Sequence, residues 1–256
     1  MDFFTWFIIL TFLFAVGALL GWCIEFLFRN LISHKGPRGK YFINPGFCTG
    51  PYLPIYGIGL SVMFVMSYNF SGNTSPIYVI LMITVTMTIL EFIGGLFLLK
   101  VLNMRLWDYR NQPGNIMGII CPLFTLIWGA IGAVYYLFIH PVVVDSLIWL
   151  SNNLAFCFFV GLFYGVFFID LYFSAKKAIA IRQFGNDNDI IVKYEELKEL
   201  ILKKTMSESG DNKSHIFSQL PSKTEEIKEA LKEHAESVES KLTAVKSKRS
   251  KKNGKK

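Results

Sequence analysis

The sequence has little charge, no paired cysteines and no loop built to cradle a phosphate. Of its 256 residues only 18% are charged and 52% are hydrophobic, where a soluble domain carries about 25% charge. That balance excludes an ordinary soluble enzyme, and no nucleic-acid partner is expected. Four cysteines (Cys23, Cys48, Cys121, Cys157) form no C-x-x-C pair and lie in or beside apolar segments. They read as small hydrophobes, without a zinc site or disulfide framework. No G-x-x-x-x-G-K-[ST] loop, nucleophile–base pair or metal-ligand spacing is present. The expectation is therefore a protein that is not an enzyme and holds no cofactor or metal. The first apolar run is too long for a cleavable signal peptide and lacks a basic start and a small-x-small site.

The charge that exists is unevenly spread. Residues 1–175 hold seven Lys/Arg and six Asp/Glu, and residues 176–256 hold nineteen and thirteen. The last eleven residues contain seven basic groups and no acid, which equals the net charge of +7. The chain has a basic tip rather than a basic body. Two domains follow: a transmembrane domain over 1–175 and a tail over 176–256.

Five apolar stretches approach the roughly 20 helical residues that a hydrocarbon core requires. They lie near 3–28, 52–68, 77–99, 119–139 and 153–173, with 142–150 a short interfacial helix opening at Asp145. The expected fold is all-α, a polytopic bundle of about five transmembrane helices. Alternate loops are basic. The first carries Arg29, Lys35, Arg38 and Lys40 without an acid, and the third carries Lys100, Arg105 and Arg110 against Asp108. The second has no charge and the fourth no Lys or Arg. The Lys/Arg bias places the N-terminus outside a bacterial cell membrane and the tail in the cytoplasm.

Spans one and two resemble spans three and four. Glu25 precedes Pro45-Gly46 by twenty residues, and Glu91 precedes Pro113-Gly114 by twenty-two. A further glycine follows four residues after each, at Gly50 and Gly118. Each half then enters a helix with a proline and an aromatic-Gly pair: Pro54 with Tyr56-Gly57, and Pro122 with Trp128-Gly129. The pattern reads as a parallel repeat of two hairpins, with convergent turn chemistry as the alternative. In transporters, sites lie at such repeat interfaces.

Each half also holds a carboxylate where one is costly, about 2.5–3.5 kcal/mol at a helix centre. Glu91 is the deeper, sharing a helical face with Thr84 and Thr88. Glu25 lies four residues before Arg29, within reach of an ion pair. Two readings stand for Glu91, Glu25, Thr84 and Thr88: ties between helices, or a polar path binding substrate or a cation. Asp170 is expected to pair with Lys176 or Lys177 or to snorkel. Gly17/Gly21, Gly129/Ala133 and Gly161/Gly165 read as close helix contacts, within the chain or in a homo-oligomer.

The loops between these helices are dense in turn formers. One runs Asn44, Pro45, Gly46, Phe47, then Gly50 and Pro51; the other contains Trp107, Tyr109, Pro113, Gly114, Asn115 and Gly118. They are either structural turns with interfacial aromatics or amide-rich sites for a phosphate or lipid head group.

Gly21-Trp22-x-x-Glu25, Asn44-x-Gly46-Phe47-x-x-Gly50-Pro51, Pro54-x-Tyr56-Gly57-x-Gly59, Glu91, Trp107-x-Tyr109, Asn115, Gly118 and Trp128-Gly129 resemble the bacterial putative ABC-transporter type IV permease (CmpB-like) family. The resemblance covers roughly residues 15–135. It implies a permease-like component served by a separate ATPase subunit, and brings no substrate or catalytic residue with it.

In the tail, Ile190, Ile191, Tyr194, Leu197 and Ile201 suggest an amphipathic helix near 187–204. Ser222-x-x-Glu225 is a capping box opening a second helix near 222–246, either a solvated single helix or a coiled-coil strand. Lys246–Lys256 reads as a disordered polybasic end that meets anionic lipid head groups of the bilayer. The leading functional reading is a permease-like transport component. A scaffold or regulator recruiting partners through its loops and tail comes second, and a membrane enzyme last.

Overall fold

The computed structural model describes residues 3–31, 44–70, 72, 74–188, 190–209, 229, 231–232 and 235. It is a bundle of helices with large apolar side chains on its outside. α1 (Phe3–Leu31), α2 (Pro54–Phe70) and α3 (Pro76–Val101) are followed by α4 (Pro122–Val134) and α5 (His140–Asn152). α6 (Cys157–Asp187) and α7 (Tyr194–Ser209) complete the described order. Four helical stretches are long and apolar enough to cross a membrane: 3–28, 76–101, 122–150 and 154–187. α2 is a shorter apolar fifth, and its 17 residues rise about 26 Å against a core of about 30 Å. Outward residues such as Phe158 and Leu126 are 71% and 72% exposed. Side chains of that kind at that exposure fit hydrocarbon and not water. This is a membrane protein.

Prolines set the helix starts. Pro54, Pro76 and Pro122 open α2, α3 and α4, where a missing N–H costs nothing because first-turn amides have no helical partner. α1 packs along α2 and α3 along α4, and glycines make those approaches possible. A Cβ on Gly17 or Gly21 would stand 2.8 Å from Leu60 or 2.3 Å from the Tyr56 side chain. In the second hairpin the contacts are Gly129 against Thr84 and Gly132 against Ile83. Gly132 is thus a further small step of that seam. Gly161 and Gly165 meet nothing within 4 Å among the described residues, so they form no such seam.

The fourth span differs from the sequence expectation. It does not stop near 139 before a separate interfacial helix; α4 and α5 join through a π turn at Tyr135–Ile139. Pro141 explains the join. It offers no N–H to the preceding turn, and its ring crowds the carbonyl four residues back, a conflict that a widened turn relieves. Residues 142–150 therefore extend span four.

The tail also departs from expectation. α6 runs unbroken through residue 175 to Asp187, so no element boundary lies at the expected domain junction. The next helix starts at Tyr194 rather than 187, because Val192–Lys193 (β2) pairs in parallel with Met104–Arg105 (β1). Val192 N–H donates to the Asn103 carbonyl at 2.9 Å. The β-branched run Ile190-Ile191-Val192 favours this extended path. Met104, Ala178, Ile181, Val192, Leu197 and Ile201 form a buried core with Tyr194 and Leu231. Phe47, Leu102 and Leu106 pack on it from the two Pro-Gly loops. Both loops and the tail thus meet at one end of the bundle, which we call the loop end. The basic residues 35, 38 and 40, the polybasic end, and most of 222–246 lie outside the described residues.

Candidate functional site

Each hairpin holds its carboxylate in the same way. In the first, the Tyr56 hydroxyl on α2 donates to Glu25 Oε2 on α1 at 3.1 Å. In the second, Trp128 Nε1 on α4 donates to Glu91 Oε2 on α3 at 3.0 Å. The donor is in both cases the aromatic of the aromatic-Gly pair. The glycine beside it lets the two helices come close enough for the bond. The two donors also meet each other, with ring centroids 6.2 Å apart. A polar junction between the repeats therefore sits inside an apolar bundle.

Glu91 is 6% exposed. Its second oxygen accepts from the Tyr109 hydroxyl of the third loop at 3.0 Å. Tyr109 stacks on Phe124 of α4 at 4.2 Å. Burial first, and then the neighbouring Glu91 charge, raise the Tyr109 phenol far above its ordinary range, so it remains a donor. Among the described residues no lysine or arginine reaches Glu91. Thr84 and Thr88 donate to the carbonyls of Ile80 and Thr84, at 2.7 and 2.9 Å. The Thr88 hydroxyl also lies 3.4 Å from that of Thr125 on α4. They sit along the α3–α4 seam near Glu91, while Glu25 belongs to the other hairpin. The Arg29 side chain lies outside the described residues, so its pairing with Glu25 does too.

The two loops are closed structures. Asn44 is buried, accepts from Trp22 Nε1 at 2.6 Å and donates to the Thr49 carbonyl at 2.6 Å. Pro45 is buried beside it. Gly46 and Gly114 sit at φ +90° and +68°, the left-handed region that a side chain resists. Both follow a proline, which fixes the turn preceding them. In the third loop, Trp107 donates to the Ile119 carbonyl at 2.9 Å, and Asn115 Oδ1 accepts from Gly118 N–H at 3.0 Å. Pro113 is exposed there, as Pro51 partly is in the first loop.

The amides of the first loop do bind an anion, and it belongs to the chain itself. Thr49 and Gly50 N–H donate to Asp170 on α6 at 3.0 and 2.8 Å, and the Tyr52 hydroxyl donates to the same carboxylate. Asp170 thus staples α6 to the first loop, and Lys177 on its own helix adds an attractive charge. In the third loop Arg110 forks onto Asp108 at 2.6–3.0 Å, and Arg105 donates to the Met117 carbonyl. Those partners engage part of each guanidinium.

Lys198 of α7 completes the loop end. Only 7% exposed, its ammonium donates to the carbonyls of Asn44 and Gly46 at 3.0 and 2.7 Å and lies over the Tyr194 ring. Tyr194 in turn donates to the Phe47 carbonyl at 3.3 Å. Cys48 is buried beside this network. Burial, with the Asp170 charge second, pushes its thiol up to about 12, so it is a neutral packing group and not a nucleophile.

Taken together, these features describe a two-hairpin repeat with a carboxylate–aromatic tie in each half. The family described as Putative ABC-transporter type IV matches residues 12–175, which takes in both hairpins and most of α6. The chain belongs to that family. The match excludes α7 and β2, so the docked tail is an addition to the region that defines the family. No curated protein and no solved structure matches the chain.

Proposed function

We propose that this ABC-transporter-family membrane component is a permease-like subunit driven by a separate ATPase. The observation that carries the reading is Glu91. A glutamine could accept from Trp128 and donate to Tyr109 as well as a glutamate accepts from both, and would avoid a charge costing about 2.5–3.5 kcal/mol at that depth. A carboxylate kept where a neutral amide would do the structural work is matched to a charge- or proton-dependent task. The loop end, where both Pro-Gly loops, β2 and α7 meet, offers a surface for an ATPase. The Lys/Arg bias supports a bacterial cell membrane location with this surface in the cytoplasm and the N-terminus outside. Lys246–Lys256 then faces the anionic inner leaflet.

The docked tail favours one further reading, a scaffold or regulator that recruits a soluble partner. Purification of the full chain from its native membranes in mild detergent separates the two. The transport reading expects co-eluting Mg-ATP hydrolysis. A stoichiometric soluble partner without ATP hydrolysis would replace it with the scaffold reading.

A further inference from the structure

Between the two hairpins runs a groove of about 610 Å³, within the usual range of about 300–1,000 Å³ for ligand pockets. α1 and α2 form one wall and α4–α5 the other, with Met87 of α3 behind. Its lining is almost wholly hydrocarbon. Along α1 it extends from Phe12 to Ile24, which at 1.5 Å per residue is about 18 Å. Glu25, Glu91, Thr84 and Thr88 do not line it. Its rim residues Leu20, Ile24, Val134 and Val142 are 55%, 59%, 52% and 62% exposed, so the groove opens sideways, where a bilayer would lie.

The shape selects the occupant. About 610 Å³ spread over about 18 Å leaves about 34 Å² for the centre of a water molecule, and adding its radius of about 1.4 Å on each side gives a channel about 9.4 Å across. A helix with its side chains is about 10–12 Å wide and cannot enter. An extended hydrocarbon chain, whose carbons touch neighbours at about 3.5–4.0 Å, can. At one end of the groove stand Tyr56 and Trp128, both with their polar atoms already committed to Glu25 and Glu91. They leave no unpaired polar group for a hydrocarbon chain to bury.

We propose that the inter-hairpin groove binds the acyl chains of a bilayer phospholipid, entering sideways between α1 and α4–α5. The head group remains at the loop end, where Tyr56 and Trp128 stand at the end of the groove. The acyl chains fill apolar space beside the contact that already joins the two repeats through Tyr56 and Trp128. This inference does not depend on transport and holds even if the chain moves no substrate.

The test reconstitutes the full-length protein into phosphatidylcholine vesicles containing a phosphatidylcholine with a photoactivatable diazirine on its acyl chain. Adducts are mapped by peptide mass spectrometry. Wild type should give several-fold higher adduct yield on residues 12–24 and 130–146 than on the outward face of α6 around Phe158 and Phe168. Ala130→Trp, and independently Val134→Trp, should fill the groove and lower its yield to the α6 level while leaving α6 unchanged. Equal yields on the groove and α6 in wild type would overturn the proposal, and this comparison decides even if neither variant folds. Groove yields unaffected by both substitutions would also overturn it, as would groove yields below the α6 level, the result of a second copy seated in the groove.

Discussion

The informative residues are the acids within the apolar segments, and each is answered by a donor far away in sequence. Glu91 is held by Trp128 and Tyr109, Glu25 by Tyr56, and Asp170 by the amides of Thr49 and Gly50. Sequence reading found Glu25 and Glu91 because an acid inside an apolar run is conspicuous. For Asp170 it named the lysines of the same helix, of which Lys177 does add an attractive charge, but it missed the loop amides about 120 residues back. Lys198 was missed because one lysine in a charged tail carries no signal. Removing the Glu91 side chain by Glu91→Ala would leave two part-buried donors without an acceptor, at up to about 1–3 kcal/mol each. That variant is expected to melt well below wild type in detergent. Cys48 supplies a second check. With its thiol buried and pushed up to about 12, it stays protonated at pH 8 and should resist maleimide in the folded protein but react once the protein is denatured. The sign of its effect on stability follows. Below its ordinary value near 9 both folded and unfolded thiols are neutral. As pH rises past that value only the unfolded thiol ionises, so stability falls with rising alkalinity.

The helices themselves were legible wherever an apolar run was long and bounded by proline or glycine, as α1, α3 and the Pro-Gly loops show. Two elements were not. Pro141 reads as a helix end, and only packing shows that a π turn carries the helix through it. The Ile190–Val192 run fits a helical apolar stripe, but the exposed edge of Met104–Arg105 draws it into a strand. Such tertiary choices leave no local mark in the sequence. α7 is joined to the loop end chiefly through Lys198 and its apolar face. Lys198→Met removes the ammonium from two buried carbonyls, at a cost of about 1–3 kcal/mol each. We expect faster proteolysis of the tail after residue 193 and faster maleimide labelling of Cys48, with the membrane bundle intact. Unchanged labelling and proteolysis would show that α7 is held without that contact.

At the scale of the whole molecule, the repeat was visible as spacing, but its meaning was not. Glu25 and Glu91 matched by position. Only the structure shows that each is bound by the aromatic-Gly pair of its own hairpin and that those two aromatics touch at 6.2 Å. The loop end and its tail core were invisible, because they join segments that are distant in the chain. Orientation is open to a direct check. A cysteine introduced at Ser75 should label from outside intact cells with an impermeant thiol reagent, and one at Gln112 should not. The reverse pattern would invert the assigned topology. The central claim, that this component works in transport through the charge of Glu91, is tested most directly by Glu91→Gln. The measurement is growth of cells carrying that variant as their sole copy, under a condition where deletion slows growth, beside its melting temperature in detergent. The account predicts a melting temperature equal to or above wild type with growth as poor as the deletion. Wild-type growth with normal folding would contradict it and leave Glu91 as a tie between helices.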